Sequence, residues 1–245
     1  MRNNKPNITV RDLSYSYTNE ETGEKVHVLK DVSFEIYPGE FVSLVGPSGC
    51  GKSTLLKLIA GLITVKHGDI ELDRSKISFV FQDFALLPWL TVKENIEFGL
   101  KMRNVPLRER ERIAMEKIAE VGLSGSAHKH PAELSGGMKQ RVGIARAIAM
   151  SPDILLMDEP FSSLDMLTAE KLRGELMDIW LKYKMTIVMV THLIEEAVEL
   201  SDRVLVFHPR PTSVKKSFDI SIPRPRDTRS KEYFDLCDQI EGNIE

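Results

Sequence analysis

The residue types best suited to chemistry in this chain lie in a glycine-rich segment, Gly46–Ser53. It fits the pattern G-x-x-x-x-G-K-[ST], in which backbone N–H groups surround the phosphates of a nucleotide. In such a loop Lys52 reaches the β- and γ-phosphates, and Ser53 offers its hydroxyl to Mg²⁺. The alternative is a plain glycine turn with an exposed lysine. The candidate phosphate-binding residues are Gly46, Pro47, Ser48, Gly49, Cys50, Gly51, Lys52, Ser53 and Thr54.

Two apolar runs end in polar side chains that suit phosphate chemistry. Ile154–Met157 leads directly into Asp158 and Glu159. In P-loop NTPases an aspartate at this place holds the Mg²⁺ shell. Glu159 then lies where it can polarise a water for in-line attack on the γ-phosphorus. Thr186–Val190 is followed closely by His192, although a lone histidine is more often structural than catalytic.

A second glycine-rich turn begins another helix. Leu134 and Ser135 are followed by Gly136 and Gly137, and the helical pattern continues through Met138–Ala149. This arrangement predicts a second helix start able to bind phosphate. One ATP molecule needs only one phosphate loop, so the second makes sense if each ATP is held between two copies of the protein.

The elements that position these residues follow from the apolar pattern. Ile8–Tyr17 and Val26–Ile36 alternate apolar and polar residues, as half-buried antiparallel strands do. Phe41–Val45 is wholly apolar, as are the two runs described above, which is typical of central parallel strands covered on both faces. Strand Phe41–Val45, the glycine loop and a helix over Ser53–Ala60 together give the context that the phosphate-loop pattern requires.

The character of the sequence changes between Phe84 and Met150, where no strand pattern is visible. Arg108–Val121 predicts an amphipathic helix, and Thr168–Tyr183 predicts another beyond this region. Ser230–Ile244 has apolar residues at helical spacing and is expected to pack. We therefore predict an α/β fold that carries an inserted helical subdomain.

These motifs resemble the ATPase subunits of ABC transporters over nearly the whole chain. The resemblance implies a P-loop NTPase (RecA-like) core at residues 1–83 and 151–245, with an N-terminal antiparallel β-subdomain and an α-helical subdomain at residues 84–150. It also implies that Gln82 touches Mg²⁺ and water, that His192 contacts the γ-phosphate, and that Tyr17 stacks on adenine. The implied residues of the dimer interface, which meet ATP bound by the other subunit, are Ser135, Gly136, Gly137 and Asp165.

Two segments of the sequence resemble one particular group of importers. The run Gln82–Val92 is similar to the corresponding run of nitrate, sulfonate and taurine importers, and so is the later segment Pro223–Asp227. The resemblance implies a homodimer, transmembrane permease subunits and an extracytoplasmic solute-binding protein as partners. Nitrate, taurine, alkanesulfonates, bicarbonate and pyrimidine-like vitamin precursors all stay open as solutes. The apolar residues Phe84–Leu90 predict either buried core or a groove for a permease helix.

Charge, cysteine content and hydropathy argue against several other classes of function. A net charge of −3 gives no field that would gather nucleic acid, so we expect none as a partner. Two cysteines, Cys50 and Cys237, suit a reducing compartment. The sequence shows no signal peptide and no apolar run near the ~20 residues of a membrane span. We therefore expect a peripheral protein on the cytoplasmic face of the inner membrane, with another chain crossing it.

Two other classes of protein fit the sequence less well. An ABC-type ATPase acting on DNA or ribosomes usually carries a coiled-coil insertion or two cassettes, and neither pattern is present. A P-loop kinase or GTPase would leave the turn Ser135–Gly137 and His192 unexplained.

Overall fold

A computed structural model describes residues 5–19 and 23–244 of the chain. Its elements, in chain order, are β1 (Ile8–Thr18), β2 (Lys25–Ile36), β3 (Phe41–Val45), α1 (Lys52–Ile59), β4 (His67–Glu71), β5 (Ile77–Val80), α2 (Val92–Met102), α3 (Leu107–Glu120), α4 (Gly136–Ala149), β6 (Ile154–Asp158), α5 (Met166–Tyr183), β7 (Thr186–Val190), α6 (Ile194–Leu200), β8 (Arg203–Phe207), β9 (Val214–Asp219) and α7 (Lys231–Glu241). These elements belong to two compact units. A discontinuous unit contains Met1–Ser75 and Thr186–Glu245, and a central unit contains Lys76–Met185.

The discontinuous unit contains the predicted antiparallel strands. β1 pairs with β2 on one side and with β4 on the other, both antiparallel. The prediction of two antiparallel strands is therefore confirmed, and β4 adds a third that the sequence did not reveal. Part of the loop predicted between Thr18 and Lys25, residues 20–22, lies outside the described residues.

The same unit contains a second group of strands around β3. β3 pairs in parallel with β7 and with β8, whereas β9 runs antiparallel to β8. All five residues of β3 are buried, and so are all five of β7. The apolar runs correctly predicted parallel strands covered on both faces, because such strands leave no face for polar residues.

The central unit joins two parallel strands to a group of helices. β5 pairs with β6, with Ile77 opposite Ile154 and Val80 opposite Met157. α2, α3 and α4 pack against one another, and α4 also contacts β5 and α5. Residues 84–150 are all described and none lies in a strand. The boundaries of a separate helical subdomain at residues 84 and 150 stay a prediction.

No helix in the described part of the chain combines the length and the apolar character needed to cross a bilayer.

Candidate functional site

The glycine-rich loop connects β3 to α1, and its backbone requires glycine at two positions. Gly46 has φ 157° and Gly51 has φ 127°, conformations that side-chain-bearing residues rarely adopt. A Cβ on Gly46 would lie 2.9 Å from the Phe207 carbonyl oxygen, and a Cβ on Gly51 would lie 2.6 Å from Val28 Cγ1. The loop can therefore wrap closely only because these two positions lack a side chain.

The N-terminus of α1 and the side chain of Lys52 both face this loop. Gly51 is the N-cap and provides no side-chain cap, and the first turn of α1 has no acidic residue. The first N–H groups of a helix carry partial positive charge and need acceptors. Lys52 is only 5% exposed, and its Nζ donates to the carbonyl oxygens of Gly46 (2.7 Å) and Pro47 (3.0 Å). This arrangement supplies N–H donors and an ammonium group for an anion.

The remaining residues of the loop divide between exposed and buried positions. Ser48 and Gly49 are exposed, whereas Cys50 is buried with its Sγ 3.8 Å from Lys52 Nζ. The Thr212 hydroxyl donates to the Cys50 carbonyl oxygen, so a distant segment anchors the back of the loop. Sequence reasoning missed Thr212, because a single threonine between two predicted elements gives no pattern.

His192 follows β7 in the discontinuous unit and its side chain is exposed. The residue before it is buried and forms two hydrogen bonds. Thr191 Oγ1 accepts from the Leu193 N–H at 3.1 Å and donates to Glu196 Oε2 at 2.7 Å. These bonds fix the turn that presents His192. Tyr17 lies on β1 and is 42% exposed.

The central unit brings Gln82 and Glu159 together, although 77 residues separate them in sequence. Gln82 lies two residues beyond the end of β5, and its Nε2 is 3.3 Å from Glu159 Oε2. Asp158 ends β6 with 5% of its surface exposed. Glu159 has φ 45°, a left-handed backbone conformation that costs energy in residues other than glycine. Backbone strain of this kind is often found at functional sites. Ser162 Oγ donates to the Glu159 carbonyl at 3.0 Å and supports this turn.

The second glycine turn begins α4, as predicted. Ser135 is the N-cap, and its hydroxyl oxygen accepts from the Met138 N–H at 3.3 Å. Ser135 and Gly136 are exposed, whereas Gly137 is buried, and a Cβ on Gly137 would lie 2.6 Å from Thr168 Cγ2 on α5. The missing side chain of Gly137 therefore allows the N-terminal ends of α4 and α5 to meet.

Comparison with known proteins decides the family. The ABC transporter family profile matches residues 29–162. The nitrate import ATP-binding protein NrtD of Synechocystis sp. is 43% identical over 231 residues, which cover 88% of this chain and 87% of that protein. The aliphatic sulfonates import ATP-binding protein SsuB of Bacillus subtilis is 41% identical over 232 residues, covering 92% of this chain and 90% of that protein. This chain belongs to the ABC transporter family.

A solved structure supports the same assignment. It is the dimeric structure of a post-hydrolysis state of an ATP-binding cassette bound to ADP and phosphate, with a TM-score of 0.78 and 34% identity, covering 87% of this chain and 98% of that one. The predicted α/β P-loop NTPase fold is confirmed, and this ABC protein is an ATPase.

Asp165 of this ABC ATPase has a structural task that the sequence alone did not indicate. It is the N-cap of α5, and its carboxylate accepts from the Thr168 N–H at 3.0 Å and the Thr168 hydroxyl at 2.7 Å. These two hydrogen bonds, the one from the hydroxyl foremost, lower the pKa of the Asp165 carboxyl. Asp165 thus holds the Thr168 side chain in the place where it faces Gly137.

The apolar segment 84–90 is a surface loop held by two polar side chains, of which Arg146 is half-buried and Asn95 is fully buried. Trp89 is 70% exposed, so the interpretation of Trp89 as buried core is wrong. Arg146 on α4 donates to the carbonyl oxygens of Phe84 (2.9 Å) and Ala85 (2.6 Å), whose φ angles are 63° and 43°. Burial lowers the pKa of the Arg146 guanidinium.

The other half of this loop is bound to α2. Asn95 is fully buried, and its Oδ1 accepts from the Leu87 N–H at 2.8 Å. Its Nδ2 donates to the carbonyl oxygens of Leu87, Leu90 and Thr91 at 3.0–3.1 Å. Sequence reasoning missed both Arg146 and Asn95, since a polar residue within a helix is ordinarily expected to face solvent.

Proposed function

We propose that this ATPase powers the import of a small anion through a separate transmembrane permease. ATP would join two copies of the chain face to face, and hydrolysis would release them. The proposal that Glu159 takes part in ATP hydrolysis rests on its contact with Gln82 and on the left-handed conformation of its backbone. A carboxylate fixed in this way can act as the general base for a water.

In this mechanism Lys52 and the N–H groups at the start of α1 bind the β- and γ-phosphates. Glu159 accepts a proton from the attacking water, whose oxygen forms a bond to the γ-phosphorus. The bond from that phosphorus to the bridging oxygen of ADP breaks, so the products are ADP and inorganic phosphate. His192 would orient the γ-phosphate by hydrogen bonding, and Tyr17 would stack on adenine.

Mg²⁺ would be held by Ser53, Gln82 and Asp158 together with the phosphates. Hydroxyl, amide and carboxylate oxygens are the donors that Mg²⁺ prefers, and it usually takes only one or two carboxylates. The buried carboxylate of Asp158 fits this requirement. Among the described residues no three His, Cys, Asp or Glu side chains form a metal-binding group, which agrees with a metal that depends on phosphate oxygens. Mg²⁺ would neutralise charge on those oxygens.

The second half of each ATP site would come from the partner copy. Ser135, Gly136 and Gly137 would bind the γ-phosphate held by the other subunit, and Asp165 would support them through α5. The exposed positions of Ser135 and Gly136 support this proposal, as does the dimeric arrangement of the similar cassette.

Substitution of Glu159 tests the hydrolytic mechanism. Glu159→Gln should keep ATP binding, lower the rate of phosphate release by about 100-fold or more, and accumulate a dimer in the presence of ATP. Glu170→Gln on the exposed face of α5 is the matched control and should behave as wild type. Near-normal phosphate release by Glu159→Gln would remove Glu159 from the catalytic role.

The partner and the location follow from the transport proposal. The exposed Trp89 would contact a permease helix on the cytoplasmic face of the cell membrane, with a solute-binding protein on the opposite side. NrtD and SsuB are import proteins for nitrate and aliphatic sulfonates. Their similarity supports an oxyanion of this kind as the solute, and direct purification of the complex would identify the chain that selects it.

Purification from gently solubilised membranes, followed by mass spectrometry, tests the proposed association with a permease. Wild-type protein should recover a multi-span permease, and Trp89→Ala should lose it while keeping the fold. Leu181→Ala is the control, because Leu181 is 57% exposed elsewhere in the central unit. Recovery of ribosomal or DNA-repair proteins without a permease would contradict the transport function and leave the ATPase chemistry intact.

A further inference from the structure

Two arginines near the C-terminus complete the hydrogen bonding of α6. The last four carbonyl groups of a helix have no partner within it. In α6 the Ala197 carbonyl accepts from the Ser201 N–H. The other three accept from arginine side chains, as follows: Arg226 Nη1 donates to Val198 O at 2.5 Å and to Glu199 O at 3.0 Å, and Arg224 Nη2 donates to Leu200 O at 2.7 Å.

These arginines belong to the segment Pro223–Asp227, which nothing in the hydrolytic mechanism uses. Each is itself fixed by a further bond. Arg224 Nη1 donates to Asp202 Oδ1 at 2.6 Å, and Arg226 Nε donates to Ile222 O at 3.0 Å. Burial and the neighbouring charge of Arg224 lower the pKa of Arg226 to about 10, which leaves it charged at neutral pH. Cations are favourable at the C-terminal end of a helix, so charge and hydrogen bonding act together.

The same C-terminal part of the chain also holds the middle of α6. Tyr233 on α7 is 2% exposed, and its hydroxyl donates to the Glu195 carbonyl at 2.7 Å. Ala197 and Val198 of α6 share an apolar cluster with residues of β9 and α7 and with Val45, the last residue of β3. The helix is therefore fixed along its length by residues 218–240.

His192 lies at the opposite end of this helix. α6 begins at Ile194 and is only seven residues long, so its two ends move together. At its N-terminal end, Thr191 Oγ1 donates to Glu196 of α6 and accepts from the Leu193 N–H. Thr191 and Leu193 are the residues directly before and after His192. A displacement of α6 would accordingly pass through Glu196 and Thr191 to the turn that presents His192.

We propose that Arg224 and Arg226 are positioning residues for His192, acting through α6. This inference rests on the proposed function, since His192 must contact the γ-phosphate for its position to affect hydrolysis. The C-terminal segment Pro223–Asp227 is then part of the catalytic support and has a defined task in the cassette. Arg226 is the more informative of the two, because its guanidinium reaches two carbonyl groups of α6 and the carbonyl group of Ile222 in the loop after β9.

A double-mutant cycle between Arg226 and His192 tests the proposal. Arg226→Ala should lower kcat for ATP about tenfold, as expected for a misplaced catalytic group, while KM for ATP changes by less than about twofold. In a His192→Ala background the same change should have no further effect on kcat, because its route of action is gone. Arg226→Lys keeps the charge but not the forked geometry, and should retain an intermediate kcat.

A spectroscopic readout separates positioning from general destabilisation. The imidazole Cε1–H signal of His192, assigned by its loss in His192→Ala, should shift in Arg226→Ala and in Arg226→Lys. Arg229→Ala is the matched control, since the exposed side chain of Arg229 lies in the same region. It should leave both kcat and the His192 signal unchanged.

The outcomes distinguish this inference from the proposed function. If His192→Ala hydrolyses ATP at the wild-type rate, the role of His192 in the proposed function fails, and the inference fails with it. If His192→Ala is impaired but Arg226→Ala has normal kcat, or if the two effects multiply independently, only the positioning inference is overturned. An unshifted His192 signal in both Arg226 variants would overturn it as well.

Discussion

Removal of the Asn95 side chain should destabilise the central unit and release the loop that carries Trp89. Asn95 is fully buried on α2, and its amide satisfies both polar groups of Leu87 and the carbonyl groups of Leu90 and Thr91. In Asn95→Ala the Leu87 N–H and the Leu90 carbonyl lose this partner, whereas the carbonyls of Leu87 and Thr91 keep the backbone N–H groups of Leu90 and Asn95. Unpaired buried polar groups are the costly consequence of such a change.

The magnitude follows from counting independent bonds. The amide has one oxygen and two N–H groups, so at most three of the four contacts are full hydrogen bonds. At about 1 kcal/mol net for each, the loss is about 3 kcal/mol. Alanine is the better helix former by about 0.5 kcal/mol. We therefore expect the free energy of unfolding to fall by about 2–3 kcal/mol in Asn95→Ala.

Tryptophan fluorescence during urea unfolding measures this change directly. Trp89 and Trp180 are the two tryptophans of the chain, and both lie in the central unit, so the signal reports on that unit. Asn95→Asp keeps the acceptor for the Leu87 N–H but directs an oxygen at three carbonyl groups, and should be at least as unstable as Asn95→Ala. Lys101→Ala, at an exposed position of α2, is the control. A loss below about 1 kcal/mol in both Asn95 variants would refute the reasoning.

Three further changes test other contacts. Gly137→Ala places a Cβ 2.6 Å from Thr168 Cγ2 and should cost about 1–3 kcal/mol in urea unfolding, whereas Thr168→Ser, which removes that methyl group, should restore most of the loss. The lowered pKa of Asp165 means that its carboxylate stabilises the folded state above the ordinary value of 3.8, and that this contribution disappears as the pH falls through the lower folded value. Asp165→Asn should consequently differ from wild type in thermal stability at pH 6 and converge with it at the acid end, and parallel curves would contradict this. Gly51→Ala combines φ 127° with a 2.6 Å contact to Val28 Cγ1, and titration with a fluorescent ATP analogue should show affinity reduced by about tenfold or more.

Periodicity predicted some elements well and others not at all. β3 and β7 were predicted with the bounds that the structure has, because buried parallel strands are continuous apolar runs. β4 was missed since only Ile70 of its five residues is buried, which leaves no alternation to detect. α2 was missed although Thr91 and Glu94 form a capping box at its start, a signal that the sequence does contain.

The sequence by itself determined the phosphate loop, the carboxylates that end β6 and the glycine turn that begins α4. These features depend on a few consecutive residues, whose backbone preferences and apolar pattern are local properties. Only the tertiary structure decided which partners Arg146 and Arg226 contact. Arg146 donates to carbonyl groups 61 and 62 residues away, and Arg226 reaches one that is 28 residues away, whereas the partners of Asn95 lie within eight residues of it. Such pairings arise when whole elements pack and leave carbonyl groups to be satisfied, a requirement that the folded chain imposes and that no short stretch of sequence expresses.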